Sequence, residues 1–136
     1  MKQVSFKKEV RGDFNRVIED VTAALKDEGF GILTRIDLHE KFKEKLGKEI
    51  EPVVILGACN PKLAYDSYQA STDVTSLLPC NAVVRQLTPG TCSIELARAT
   101  ALMEILGDPG LVKLANEADE RLERCLMRLT DESAAA

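Results

Sequence analysis

An unbroken apolar run, Val53-Val54-Ile55-Leu56, that stops at Gly57-Ala58-Cys59-Asn60-Pro61 constrains this chain more than any other stretch. Apolar residues without alternation describe a strand covered on both faces. Pro52 suits the strand's first position, where a missing N–H is tolerated. Asn60 and Pro61 then fit the N-cap and first turn of a helix. The chain must therefore build a sheet, with this strand as the candidate for its centre. A helix must leave directly from the strand's end.

The rest of the chain supplies partners for that strand. Lys2 to Val10 reads as a first strand, with Val4, Phe6 and Val10 on one parity. Lys8 breaks the pattern, which suits a sheet edge. Asp13 caps a helix whose Phe14, Val17, Ile18, Val21, Ala24 and Leu25 recur at helical spacing, and Gly29 ends it. Phe30 to Ile36 reads as a second strand. Asp37, with Glu40 three residues on, resembles a capping box for a short helix carrying Leu38, Phe42 and Leu46. Past the central strand, Leu63, Ala64, Tyr68 and Ser67 form the inner stripe of the next helix, with Tyr65 to the side. Residues 71 to 78 are a loop or a short helical turn. Asn81 to Leu87 and Cys92 to Leu96 form a hairpin around Thr88-Pro89-Gly90-Thr91. Ala97 to Leu106 is helix-forming. Asp108-Pro109 opens a last helix lined by Leu111, Leu114, Ala115, Ala118, Leu122, Cys125, Leu126 and Leu129. Residues 131 to 136 should fray.

The order β-α-β-α-β-α-β-β-α-α gives an α+β fold, a single mixed or antiparallel sheet of about five strands with helices packed against it. At 136 residues the chain reads as one domain over 1–130. Net charge is −4 with both signs interspersed, so no basic face for nucleic acid is visible. No stretch has the length of a membrane span, and the N-terminal segment has no apolar signal core. A cytosolic protein with reduced thiols is the expectation.

The candidate site is a doubled motif. Cys59-Asn60-Pro61 and Pro79-Cys80-Asn81 bracket one helix. Cys59 stands just before a helix N-terminus, where a thiol's pKa can fall and a small anion can sit. The plain alternative is a small buried hydrophobe beside ordinary capping residues. Cys80 has the same two readings. The motifs can share a site only if the third and fourth strands run antiparallel, which places both cysteines at one end of the sheet. That arrangement is the expectation. Cys92 and Cys125 read as core residues, and His39, in the first turn of its helix, as an exposed surface residue. No close cysteine pair is present, so neither a metal site nor thioredoxin-type chemistry is expected. No phosphate loop is present, and Ser93 lacks a histidine partner for a hydrolase triad. The carboxylates of Glu95 and the terminal helix read as solvated surface.

Taken together, Gly29-Phe30, Leu56-Gly57-Ala58-Cys59-Asn60-Pro61, Leu78-Pro79-Cys80-Asn81 and the strand from Cys92 into a long Glu/Arg/Leu helix resemble the domain-of-unknown-function family numbered 302. The resemblance spans about residues 3 to 129. It implies a small α/β domain that forms homodimers, with Cys59, Asn60, Pro61, Pro79, Cys80 and Asn81 as motif positions, and it implies no reaction and no cofactor. The connection around Ser71 to Ser76 departs from the family, where it is richer in glycine and proline. Three functions follow from the motif. The residues line a pocket for a small molecule or anion, with Tyr65 or Tyr68 beside it. Alternatively, Cys59 attacks as a thiolate and Cys80 resolves a disulfide. In the third, the motif only ties strand ends to helix caps in a structural dimer.

Overall fold

The computed structural model describes residues 3–132. Its five strands are β1 (Ser5–Arg11), β2 (Gly31–Asp37), β3 (Val53–Cys59), β4 (Cys80–Thr88) and β5 (Thr91–Ala97). They form one sheet in the order β1-β5-β4-β3-β2, every neighbouring pair antiparallel. The helices are α1 (Phe14–Asp27), α2 (Leu38–Leu46), α3 (Pro61–Ala70), α4 (Ala99–Met103) and α5 (Val112–Arg128). A 3₁₀ segment over Thr72–Leu77 fills the connection after α3, the short helical turn of the two alternatives for residues 71 to 78. β1 is an edge strand, as its lysines suggested. β3 is an inner strand but not the centre. That place belongs to β4, because the β4–β5 hairpin brings β5 and then β1 onto its far side.

Local chemistry explains most boundaries. Asp13 accepts a hydrogen bond from Arg16 N and starts α1. Gly29, at φ 88°, reverses the chain after it, a conformation that costs a side-chain-bearing residue and not glycine. Val17, Ile18, Val21, Ala24 and Leu25 are all buried, so the α1 stripe is the core face. It packs with α5 over Val54, Leu56, Val84, Ile94 and Leu96 on one side of the sheet. Full burial of each such side chain is worth about 1.5–3 kcal/mol. Cys92 and Cys125 lie in this core, as expected, and each thiol donates to a backbone carbonyl, of Gly12 and Ala24 respectively. A second apolar cluster joins Leu63, Val74, Met103 and Leu111 at the end of the sheet where β3 finishes and β4 begins.

Several expectations are corrected. Asp37 makes no side-chain cap to α2 but pairs with Arg35 on the same strand. The Leu38–Phe42–Leu46 stripe is not fully buried anywhere: Leu38 and Phe42 are half-buried and Leu46 is exposed. His39 is half-buried, not a free surface residue. Its Nδ1 lies 3.0 Å from Val53 N and 3.1 Å from Val53 O, so the ring meets the backbone at the start of β3. On α3 only Leu63 is buried, and Tyr65 and Tyr68 both face solvent. The helix expected from Ala97 to Leu106 is five residues of α4 and then a 3₁₀ turn, and Asp108 caps another 3₁₀ turn before α5. Of the expected frayed tail, residues 133–136 lie outside the described residues, as does Lys2 of the expected first strand. Asp131 accepts from Arg11 N at 2.7 Å.

Two buried carboxylates were read as surface or passed over. Glu28, at the C-terminus of α1, holds Arg124 at 3.0 Å and Arg128 at 2.8 Å. Burial alone would raise its pKa, but hydrogen bonds and charge from the two guanidinium groups outweigh that and hold it below the ordinary carboxylate value. Asp119 of α5 reaches across to α4, accepting from Ala99 N at 2.7 Å and from the Thr100 hydroxyl. It caps a helix that has no capping side chain of its own.

Candidate functional site

Antiparallel pairing of β3 and β4 sets Ala58 opposite Cys80 and Gly57 opposite Asn81. The two cysteines therefore meet at one end of the sheet. Cys59 is one residue past the Ala58–Cys80 pair, where the strand gives way to α3. Cys59 and Cys80 both line one cavity of about 40 Å³. Ala58 and Phe30 back it, Leu63 of α3 closes one side, and Met103 of α4 and Ala115 of α5 close the other. Neither cysteine is in a disulfide. Among the described residues, and unlike Cys92 and Cys125, neither has a hydrogen-bond partner.

Burial decides the thiol chemistry of the site. Burial, the neighbouring Cys59 and the charge of Asp119 together push Cys80 up to about 11. Burial also pushes the Cys59 thiol above its ordinary value. The lowering expected from a helix N-terminus does not outweigh that burial. One amide of that helix end, Leu63 N, is taken by Asn60 Oδ1 at 3.2 Å.

Of the six motif residues, Cys59, Asn60 and Cys80 line this cavity, Pro61 stands next to it in the chain, and Pro79 and Asn81 line a separate cleft. Asn60 spends its amide on the backbone. Besides capping α3, its Nδ2 donates to Glu28 O at 3.4 Å, which ties the start of α3 to the end of α1. The same amide lies over Gly29, where a Cβ would stand 2.9 Å from Nδ2. Pro61 forms the first turn of α3. Strand alternation puts Asn81 on the opposite face of the sheet, exposed, beside Pro79. Pro79 follows a cis peptide bond and covers Gly57, where a Cβ would fall 2.7 Å from its Cγ and against the Thr34 hydroxyl. The motif thus divides into thiols that line a cavity, an asparagine that joins two helix ends, and a proline–glycine contact that seats β4 on β3.

Sequence reasoning did not find Met103, Ala99, Ala115 or Ala118, which complete the cavity wall. Ala115 and Ala118 were legible as the apolar stripe of α5, but nothing local says that this stretch of the stripe faces the cysteines. Groups of three or more histidine, cysteine, aspartate or glutamate side chains placed to hold a metal are absent among the described residues.

An antiparallel five-stranded sheet with a helical layer, closed at one end over a pair of free thiols, defines an α+β domain with an apolar, cysteine-lined cavity. The sequence profile of the family described as "Domain of unknown function DUF302" matches residues 6–129, and the chain belongs to that family. A solved structure, that of an uncharacterized conserved DUF302 protein from Bacillus stearothermophilus, is similar to it at 35% identity and a TM-score of 0.85. The match covers 93% of this chain and 98% of that one. A comparison with curated proteins finds no match. No helix among the described residues is long and apolar enough to cross a membrane.

Proposed function

We propose that this domain is a binding module for a small, uncharged ligand, with its site in the cavity between Cys59, Cys80 and helices α3 to α5. The observation that carries the reading is the convergence of two unpartnered thiols, from two strands, on one apolar cavity. Core cysteines that serve packing alone find a carbonyl, as Cys92 and Cys125 do. An anion is the poorer ligand, because no lysine or arginine lines the cavity and an unpaired buried charge is costly. A thiol-redox activity of the same two residues is the weaker alternative. It needs a thiolate, and burial keeps both groups protonated at neutral pH.

The test uses xenon as an apolar probe in a pressurised NMR titration of the full chain, since dry apolar cavities take up such atoms. Shifts should gather on the amides of Ala58, Ala99, Ala115 and Ala118. The variant Ala118→Leu, which fills the cavity, should abolish them. Shifts absent from the wild type, or unchanged in the filled variant, would overturn the reading.

A further inference from the structure

Resting on that reading, we propose that the ligand is a neutral, unbranched aliphatic molecule with a hydrogen-bonding head, whose chain reaches the cysteine cavity from a cleft between α4 and α5, past the side chain of Met103. The cavity lined by Cys59 and Cys80 is too small for a whole organic ligand. At about 40 Å³ it has far less room than the roughly 150 Å³ that takes up a benzene. It accommodates the narrow end of a longer molecule.

Room for the rest lies next to it. A cleft of about 360 Å³ opens where α4, the 3₁₀ turns that follow it and the start of α5 meet. Ordinary small-molecule sites occupy roughly 300–1,000 Å³. Met103 and Ala115 line both the cavity and the cleft. Ala115 offers a single methyl, so the Met103 side chain is the larger part of the wall they share. Methionine is unbranched, with three rotatable bonds, and repacks more readily than other core side chains. A rotation of that side chain joins cavity to cleft with the backbone in place.

The lining selects the chemistry. Pro109, Leu111 and Val112 line the cleft, and Ala99, Leu114 and Ala118 the cavity, so an alkyl chain meets apolar side chains along its length. Among the described residues no lysine or arginine lines either space, whereas Glu104 and Asp108 line the cleft. An anionic head would meet those carboxylates without a compensating cation. Asn116 lines the cleft too, exposed, and its amide has no partner among the described residues, which suits a hydroxyl or carbonyl head. The protonated thiols serve as small, soft apolar groups at the chain's end.

The experiment titrates the full chain with n-hexanol and follows backbone amides by NMR. Shifts are expected on both sides of Met103, at Ala58 and Ala118 in the cavity and at Val112 and Asn116 in the cleft, all on one binding curve. From n-butanol to n-hexanol each added methylene should tighten binding about threefold to fourfold. Neohexyl alcohol, an isomer with a tert-butyl end, and hexanoate should each bind at least about tenfold more weakly than n-hexanol. Met103→Ala removes the partition and Met103→Ile stiffens it, so the alanine variant should bind n-hexanol about tenfold more tightly than the isoleucine variant. Circular dichroism confirms that each variant is folded. Shifts confined to the cleft, equal binding of n-hexanol, its branched isomer and hexanoate, or equal affinity in the two Met103 variants would overturn this inference. Xenon shifts at Ala58 and Ala115 would then leave the cavity reading standing. Their absence as well would remove both.

Discussion

Asp119→Ala should be among the most damaging single changes on α5, although the position looks like one more acidic residue on a charged helix. The carboxylate accepts from Ala99 N at 2.7 Å, from the Thr100 hydroxyl, and at 3.5 Å from Thr100 N. Ala99 is buried, so removing the acceptor strands a backbone donor where water does not replace it. Hydrogen bonds to a charged group contribute about 1.5–3 kcal/mol, and the stranded donor adds a desolvation cost of about 1–3 kcal/mol that partly overlaps. A loss of about 3 kcal/mol is expected, or roughly 10 °C in Tm for a chain of this size. Asp119→Asn keeps an acceptor oxygen and should lose about 1 kcal/mol. Urea denaturation followed by circular dichroism measures both. The reasoning also predicts that Asp119→Ala weakens ligand binding, because α4 carries Met103 and Ala99 into the cavity wall. A loss below about 1 kcal/mol for Asp119→Ala, with an unchanged site, would show that α4 is held by packing and not by this cap.

Gly57→Ala should cost about 1–3 kcal/mol, since its Cβ would collide with Pro79 and Thr34, whereas Gly31→Ala meets nothing and serves as the control; equal effects in urea denaturation would refute the contact. Asn60→Ala should cost about 1–2 kcal/mol for the lost cap and the lost bond to Glu28 O, and Asn60→Asp, which keeps the cap, about half of that. Cys80 and Cys125 stand at about 11 in the fold against an ordinary 9.0, so the unfolded chain gives up these protons first and stability should fall as pH climbs from 9.0 to about 11. Residue-resolved alkylation of the native protein checks the same shift, and rapid labelling of Cys80 at neutral pH would contradict it. Glu28 has the opposite sign. Its carboxyl is held below 4.5, so its contribution is present above that value and lost as pH falls through the folded pKa, and Glu28→Gln should flatten the acid limb of the stability curve.

Much of the fold was legible because it rests on short-range rules. Asp13 and Asn60 cap the helices they precede, Gly29 ends α1 with positive φ, and the Pro89-Gly90 turn closes the β4–β5 hairpin. The α1 and α5 stripes bury most of the residues that their spacing selects, with Phe14, Leu114 and Leu126 half-buried. Where the reading failed, the deciding partner lies far along the chain. Asp119 is polar on an amphipathic helix and by pattern belongs in water, yet it is buried because α4 crosses it with an uncapped end. His39 has charged neighbours in sequence but meets the backbone of Val53 in space.

For this protein the sequence by itself determined which segments are strands and helices, where most of them begin and end, and that two cysteine motifs flank one helix. Those outcomes depend on backbone preferences and on periodic burial, which are properties of a few consecutive residues. Only the tertiary structure decided that β4 and not β3 holds the centre, and that Cys59 and Cys80 share a cavity while Asn81 faces away from it. It also decided that the thiols are raised, not lowered, in pKa. Strand order and register place side chains from distant segments together, and the burial that results, not the helix end beside it, sets the pKa of the two thiols.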